Sequence, residues 1–236
     1  MEFMPEPAPL VILAFLGTCL ALGATGLVIV YGFARGKPTL AKYAGIVALG
    51  GAAVYAGLLL SASLTSTEKV LRAGQQKYFC EVDCHVAYSV VNLTTAKTLG
   101  PPLNQRSAGG TFYVVKVKTW FDERTISSHR GYAPLSPNPR RVVVIDDQGR
   151  QYEPSDQGQA ALEQAQGKSA PLTQTLRPGE SYTTDLVFDL PHGIQNPWLL
   201  ITDASGILQL LIGHESSPFH KKIYFGLAPQ PKSAFL

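Results

Sequence analysis

The residues of this chain best suited to chemistry are Cys80, Cys84 and His85, in the run Cys80-Glu81-Val82-Asp83-Cys84-His85. Thiolates and imidazole are ligands that copper favours, so the first chemistry to weigh is a metal site. A period of two runs through the same segment. Cys80, Val82, Cys84, Val86, Tyr88 and Val90 fall on one face, and Glu81, Asp83, His85 and Ser89 on the other. That is the pattern of a half-buried strand. In one continuous strand the two cysteines stand ~13 Å apart, beyond the ~4.4–6.8 Å Cα separation of a disulfide and too far to share one ion. Only a turn within Glu81–Asp83 brings the sulfurs together. Three readings therefore stand: two core cysteines, a disulfide, or a metal site.

The remaining histidines, His129, His192, His214 and His220, are isolated in sequence. No nucleophile signature, glycine-rich phosphate loop or pair of carboxylates stands out, so no catalytic residue is expected and the chain reads as a non-enzyme.

The elements that must position these residues come in two unlike parts. From Pro9 to Phe33 no residue is charged, and the same holds from Tyr43 to Leu64. About 20 apolar residues cross a ~30 Å hydrocarbon layer, so residues 1–64 read as a transmembrane hairpin with spans at about 9–33 and 43–64. The acidic leader and long apolar run do not fit a cleaved signal peptide. Between the spans lie Arg35, Lys37 and Lys42 with no acid, whereas the leader carries Glu2 and Glu6. Basic short loops stay cytoplasmic, which places the amino terminus and everything after Leu64 outside. Gly17 and Ala21 in the first helix, and Ala44, Ala48 and Ala52 in the second, recur every four residues. Small residues at that spacing permit close helix contact, within the hairpin or with a partner's helices.

After a polar connector at 65–77, strand patterns dominate 78–226. TFYVVKVKTWF (111–121) sets Tyr113, Val115, Val117 and Phe121 opposite Lys116 and Lys118. Val142–Ile145 and Arg150–Tyr152 flank a turn at Asp146–Gly149. Only SDQGQAALEQAQGKSAP suggests a helix. Tyr182, Thr184, Leu186 and Phe188 share a strand face, and WLLITD with ILQLLIGH reads as a further strand pair. Short strands at about ten-residue spacing suggest a sandwich. After Leu64 the chain carries 17 basic and 15 acidic side chains, which argues against nucleic acid as a partner.

Three pieces in order, Val144–Tyr152, Leu176–Ser181 and Leu186–Pro191, resemble the immunoglobulin-like extracytoplasmic domain of bacterial membrane-anchored proteins and lipoproteins. The resemblance implies an all-β immunoglobulin-like sandwich outside the cytoplasmic membrane, without catalytic residues. The CxxxCH segment also resembles the copper loop of cytochrome oxidase subunit II, which has a double-spanning anchor before its sandwich. That resemblance implies copper held by Cys80, Cys84 and His85. Tyr88 stands where that family has its second histidine, and the only methionines are Met1 and Met4.

The ending is too apolar for a free tail. Phe219, Tyr224, Phe235 and Leu236 are candidate partner contacts, with IYFGL as a closing strand and 227–236 as a tail. The functional expectation is an accessory, non-catalytic subunit of a larger bacterial membrane complex of respiratory or photosynthetic type. Its partners are other membrane-protein subunits and the lipid bilayer, it lies in the inner membrane, and its sandwich braces the periplasmic side. The alternative is a copper-binding electron-transfer or copper-delivery protein.

Overall fold

The computed structural model describes residues 9–79, 85–126, 129–204 and 206–227. They form two compact units, one of helices together with residues 206–222, the other a β-sandwich.

In the helical unit, α1 (Pro9–Ala34) and α2 (Pro38–Leu64) form an antiparallel hairpin. Both are long and apolar enough to cross a membrane. The turn is tight: Gly36 takes φ +64°, and the Lys37 N–H donates to the Gly32 carbonyl at 2.7 Å. Proline then opens α2, where its missing N–H costs nothing. The second helix therefore starts at Pro38, before the expected Tyr43, because Lys42 is carried inside its first turns. Gly32 lets the helices meet, since a Cβ there would lie 3.0 Å from the Ala41 nitrogen.

In the sandwich, β1 (Lys69–Leu71), β2 (Lys77–Phe79), β3 (Val86–Leu99) and β4 (Arg106–Phe121) precede β5 (Arg140–Ile145) and β6 (Gln151–Tyr152). Helix α3 (Asp156–Gln166), β7 (Ser181–Leu190), β8 (Trp198–Asp203) and β9 (Ile223–Gly226) follow. One sheet has the order β1-β9-β8-β5-β6 and the other β2-β3-β4-β7. Alternating residues from both sheets fill the space between them: Tyr88, Val90, Val115, Val117 and Phe188 from one, Val142, Val144, Leu199, Ile201 and Phe225 from the other. The opposite parity of β4 and β7 is also used, because α3 lays Leu162 against Phe112 and Val187. Gly158 permits that approach: a Cβ there would sit 2.6 Å from Val187 Cγ1.

The hairpin turn at Asp146–Gly149, the single helix and the closing strand IYFG stand where the sequence pattern puts them. Three expectations are corrected. The connector 65–77 contains β1 and the first residue of β2. The strand through 78–91 is not continuous, since β2 and β3 run antiparallel with Phe79 opposite Val86. The chain therefore reverses between them, and a period-two pattern cannot register a reversal that preserves it. Finally, ILQLLIGH is no strand. β8 already pairs with β5 on one edge and β9 on the other, leaving no ladder for it. Gly206–Leu210 instead forms a 3₁₀ turn in the helical unit.

Candidate functional site: the polar corner around β2

Strand β2 has only three residues, and its alternation sends Lys77 and Phe79 one way and Tyr78 the other. On the Tyr78 side, Asp122 follows β4 and caps a 3₁₀ turn over Glu123–Thr125. Its carboxylate accepts from Tyr78 Oη at 2.6 Å, from the Arg124 N–H at 3.0 Å, and from Arg124 Nε and Nη2 at 3.0 and 2.9 Å. Burial pushes this carboxyl up, but the bonds from Arg124 and Tyr78 outweigh it and hold Asp122 below the usual carboxylate range. It is thus a fixed acceptor at neutral pH.

His85 lies beside it, 2 % exposed and stacked on Phe121 with centroids 5.4 Å apart. Its carbonyl accepts from the Asp122 N–H at 2.8 Å. Its Nδ1 meets Thr125 Oγ1 at 2.6 Å, while that hydroxyl donates to the Asp122 carbonyl at 2.8 Å. A hydroxyl has one proton to give. Thr125 must therefore accept from His85, which puts a proton on Nδ1 and leaves Nε2 as the nitrogen that could serve as a ligand.

On the other side of β2, two cations are buried in the sandwich. Lys77 is 1 % exposed and its Nζ donates to the carbonyls of Ile201 at 2.7 Å and Ile223 at 3.1 Å, tying one sheet to the other. The Arg140 guanidinium pairs with Asp203 and lies 4.3 Å from the Phe79 ring centroid and 5.7 Å from that of Tyr88. Lys77 Nζ lies 5.0 Å from the same Phe79 ring. One aromatic ring thus serves both cations.

Among the metal candidates, His85 is placed as described, and Cys80 and Cys84 lie outside the described residues. Among the described residues no group of three His, Cys, Asp or Glu is arranged to hold a metal ion. The small residues separate. Ala44 is buried and Ala48 and Ala52 half-buried along the line of α2 that meets α1, whereas Gly17 and Ala21 are exposed. Phe219 is 73 % exposed. Tyr224 is half-buried, stacked on Trp198 beside Val143, Ile145 and Leu200. Phe235 and Leu236 lie outside the described residues. Of the other histidines, His192 accepts from Lys97 at 3.0 Å, and His214 accepts from the Ser216 N–H at 3.0 Å.

Lys77, Arg140 and Asp122 were not expected at the site. Strand parity carried a signal for Lys77 and Arg140, because Lys77 shares a face with Phe79 and Arg140 shares one with Val142 and Val144. Nothing local marked Asp122, whose partners come from β2 and from beyond β4.

No protein-family model matches the chain, and no curated protein does. Among solved structures it is similar to a conserved hypothetical protein from Bacillus anthracis, at 14% identity over 50% of this chain and 82% of that one, with a TM-score of 0.39. It is also similar to the yjhA protein from Bacillus subtilis, at 12% identity over 66% and 98% of the two chains, TM-score 0.39. A third is MPT63, a secreted protein from Mycobacterium tuberculosis, at 11% identity over 70% and 99%, TM-score 0.42.

Proposed function

We propose that this chain is a non-catalytic accessory subunit of a larger bacterial membrane complex of respiratory or photosynthetic type. Its hairpin spans the inner membrane, and its sandwich, of immunoglobulin-like type, braces the periplasmic side. The observation that carries this reading is the division of labour among small residues. Ala44, Ala48 and Ala52 are spent on the contact between α1 and α2, while Gly17 and Ala21 face away from it with nothing within 4 Å of a Cβ at Gly17. A face of that kind lets another helix approach closely in lipid. Arg35 and Lys37 at the turn, with Tyr31 and Tyr43 beside them, support the orientation, since basic loops stay inside and tyrosines favour the membrane boundary. Two face-to-face sheets sharing one alternating core support the immunoglobulin-like assignment.

The test is extraction of native membranes in mild detergent, with mass spectrometry of what co-migrates. Wild type should travel with one defined complex, and a Gly17→Leu/Ala21→Leu variant should leave it while its hairpin and sandwich stay folded. Migration as a lone monomer in both cases overturns the reading.

The second reading, copper held by Cys80, Cys84 and His85, is favoured by one observation: the Thr125 bond puts a proton on His85 Nδ1 and leaves Nε2 as the ligand nitrogen. Stoichiometric copper in the purified chain, lost in Cys80→Ser and weakened in Thr125→Val, is the result expected from it. A metal-free chain that takes up no copper removes it.

A further inference from the structure

We infer that residues 206–222 form an interfacial element that seats in the leaflet nearest Leu64, with Ile207, Leu210 and Phe219 at the boundary between headgroups and acyl chains. The inference rests on the reading of α1 and α2 as membrane spans. It starts from where the segment is fastened. Tyr55 Oη donates to the Leu210 carbonyl at 2.7 Å, and the Lys221 N–H donates to Ser66 Oγ at 2.8 Å. Ser66 lies just past the end of α2. Tyr55 lies nine residues before that end, so about 14 Å further down the helix axis. The segment therefore descends beside α2, to a depth that lipid reaches if the helix spans.

Its composition suits that position. Ile207 is 59% and Leu210 51% exposed, near the height where α2 itself exposes Val54 and Leu58 at 65% and 55%, and Phe219, 73% exposed, lies nearer the return to Ser66. Phe219 holds φ +62°, a strained setting for a non-glycine residue, and that setting presents its ring outward. A solvated loop gains nothing from it, whereas an acyl boundary does. Polar partners flank Phe219 on both sides along the return to Ser66. They are His214, His220, Lys221 and Lys222, against Glu215 as the single acid, and this balance suits anionic headgroups.

The backbone is the more demanding criterion, because lipid offers no hydrogen bonds. Here successive turns close on themselves, with N–H groups of Leu211, His214, Ser217 and His220 donating to carbonyls of Leu208, Leu211, His214 and Ser217. Side chains cover further groups. Ser217 Oγ donates to the Leu211 carbonyl at 2.6 Å, Lys222 Nζ donates to the Glu215 carbonyl, and His214 Nδ1 takes the Ser216 N–H. A segment of short turns that closes these backbone groups on itself and shows its apolar side chains suits a boundary better than water.

The test uses the full chain in phosphatidylcholine/phosphatidylglycerol vesicles carrying dibrominated acyl chains. Phe219→Trp and Ile207→Trp are compared with wild type, and Leu27→Trp serves as the marker for α1. Both segment variants should gain emission that brominated lipid quenches about twofold and acrylamide hardly touches. Quenching of Leu27→Trp by brominated lipid, with both segment indoles quenched only by acrylamide, overturns this inference and leaves the spans standing. Acrylamide quenching of all three overturns the spanning reading and this inference together. Shielding of the segment indoles from both quenchers in these vesicles also overturns it, because protein then covers the element.

Discussion

The two units of this chain hide opposite kinds of residue. The sandwich buries charge: Lys77 and Asp122 are each 1 % exposed, and the Arg140 side chain is fully covered. The hairpin displays oil, with Leu10, Leu20, Leu27 and Leu49 each about three-quarters exposed. Within the sandwich every one of those charges has been given hydrogen bonds, a counter-ion or an aromatic face, as burial away from water requires. Within α2 the described buried residues reduce to Ala41, Ala44, Leu59 and Ser63. The contrast is what two units folded against different solvents would display, and a single hydropathy average describes neither.

The largest effect that would break this contrast lies at Arg140. Asp203→Ala removes the carboxylate of a buried pair, and loss of one partner costs about 3–5 kcal/mol. Both tryptophans, Trp120 and Trp198, lie in the sandwich, so indole emission during urea unfolding of the detergent-solubilised chain reports that unit. The midpoint should fall sharply while far-UV helicity from the hairpin persists. Replacing both members, as Arg140→Leu/Asp203→Leu, should recover much of the loss, since a well-filled apolar pair substitutes for a buried ion pair. If Asp203→Ala leaves the midpoint unchanged, the buried charges are not what closes the sheets.

A comparable effect with the opposite logic is expected in α1. Leu27→Arg changes a residue that is 74% exposed, and Val91→Arg changes one 42% exposed on β3. In water such surface changes stay within about 0.5 kcal/mol. At the centre of a membrane helix, arginine costs about 2.5–3.5 kcal/mol of insertion. Membrane fractionation and glycosylation-site mapping should show Leu27→Arg failing to insert and Val91→Arg behaving as wild type. Equal tolerance of both would mean that α1 faces water.

Acid sharpens the comparison further, because the hairpin spans contain no carboxylate to titrate. Asp122 has a folded pKa below its unfolded value of ~3.9, so its contribution is fully present above that value. It is lost as pH falls through the folded pKa. Sandwich stability should therefore decline below about pH 4, and Asp122→Asn should flatten part of that slope at the cost of a lower plateau. The residual slope belongs to Asp146, whose carboxyl is also held low: burial raises it, but bonds from Arg150 and Tyr152 outweigh that. An unaltered slope in Asp122→Asn would show that the corner does not bear on stability.

The parts of this architecture that were legible in sequence are those governed by local period and punctuation. Two charge-free runs mark α1 and α2, Asp146–Gly149 marks the β5–β6 turn, and the polar run SDQGQAALEQAQGKSAP marks α3. What failed was set by pairing at a distance. Residues 206–213 carry enough apolar side chains for a strand, but β5 and β9 already occupy both edges of β8. Cys80–Val90 alternates perfectly, yet Phe79 pairs with Val86 and the chain turns back. Of the polar corner, His85 was visible by residue type. Its hydrogen-bond arrangement was not, because Thr125 and Asp122 reach it from about 40 positions along the chain.

The smallest expected effect concerns how each unit starts its helices. Ser155 accepts the Gly158 N–H at 3.1 Å and opens α3, a helix of 11 residues lying on the sheet. A helix that short is marginal in water, so its cap matters, and Ser155→Ala should cost about 1 kcal/mol in the urea midpoint read by Trp120 and Trp198. The residue before α2, Lys37, makes no side-chain cap bond at all. Its helix runs 27 residues, and if it spans it needs none, because in lipid an unwound turn would strand its own backbone groups. Lys37→Ala should accordingly leave helicity and thermal stability unchanged, while a measurable shift of topology toward the opposite orientation is allowed by the lost positive charge. A loss of helicity in Lys37→Ala as large as the loss in Ser155→Ala would mean that α2 depends on the same aqueous helix energetics as α3, and the two-solvent contrast would not hold at its first turn.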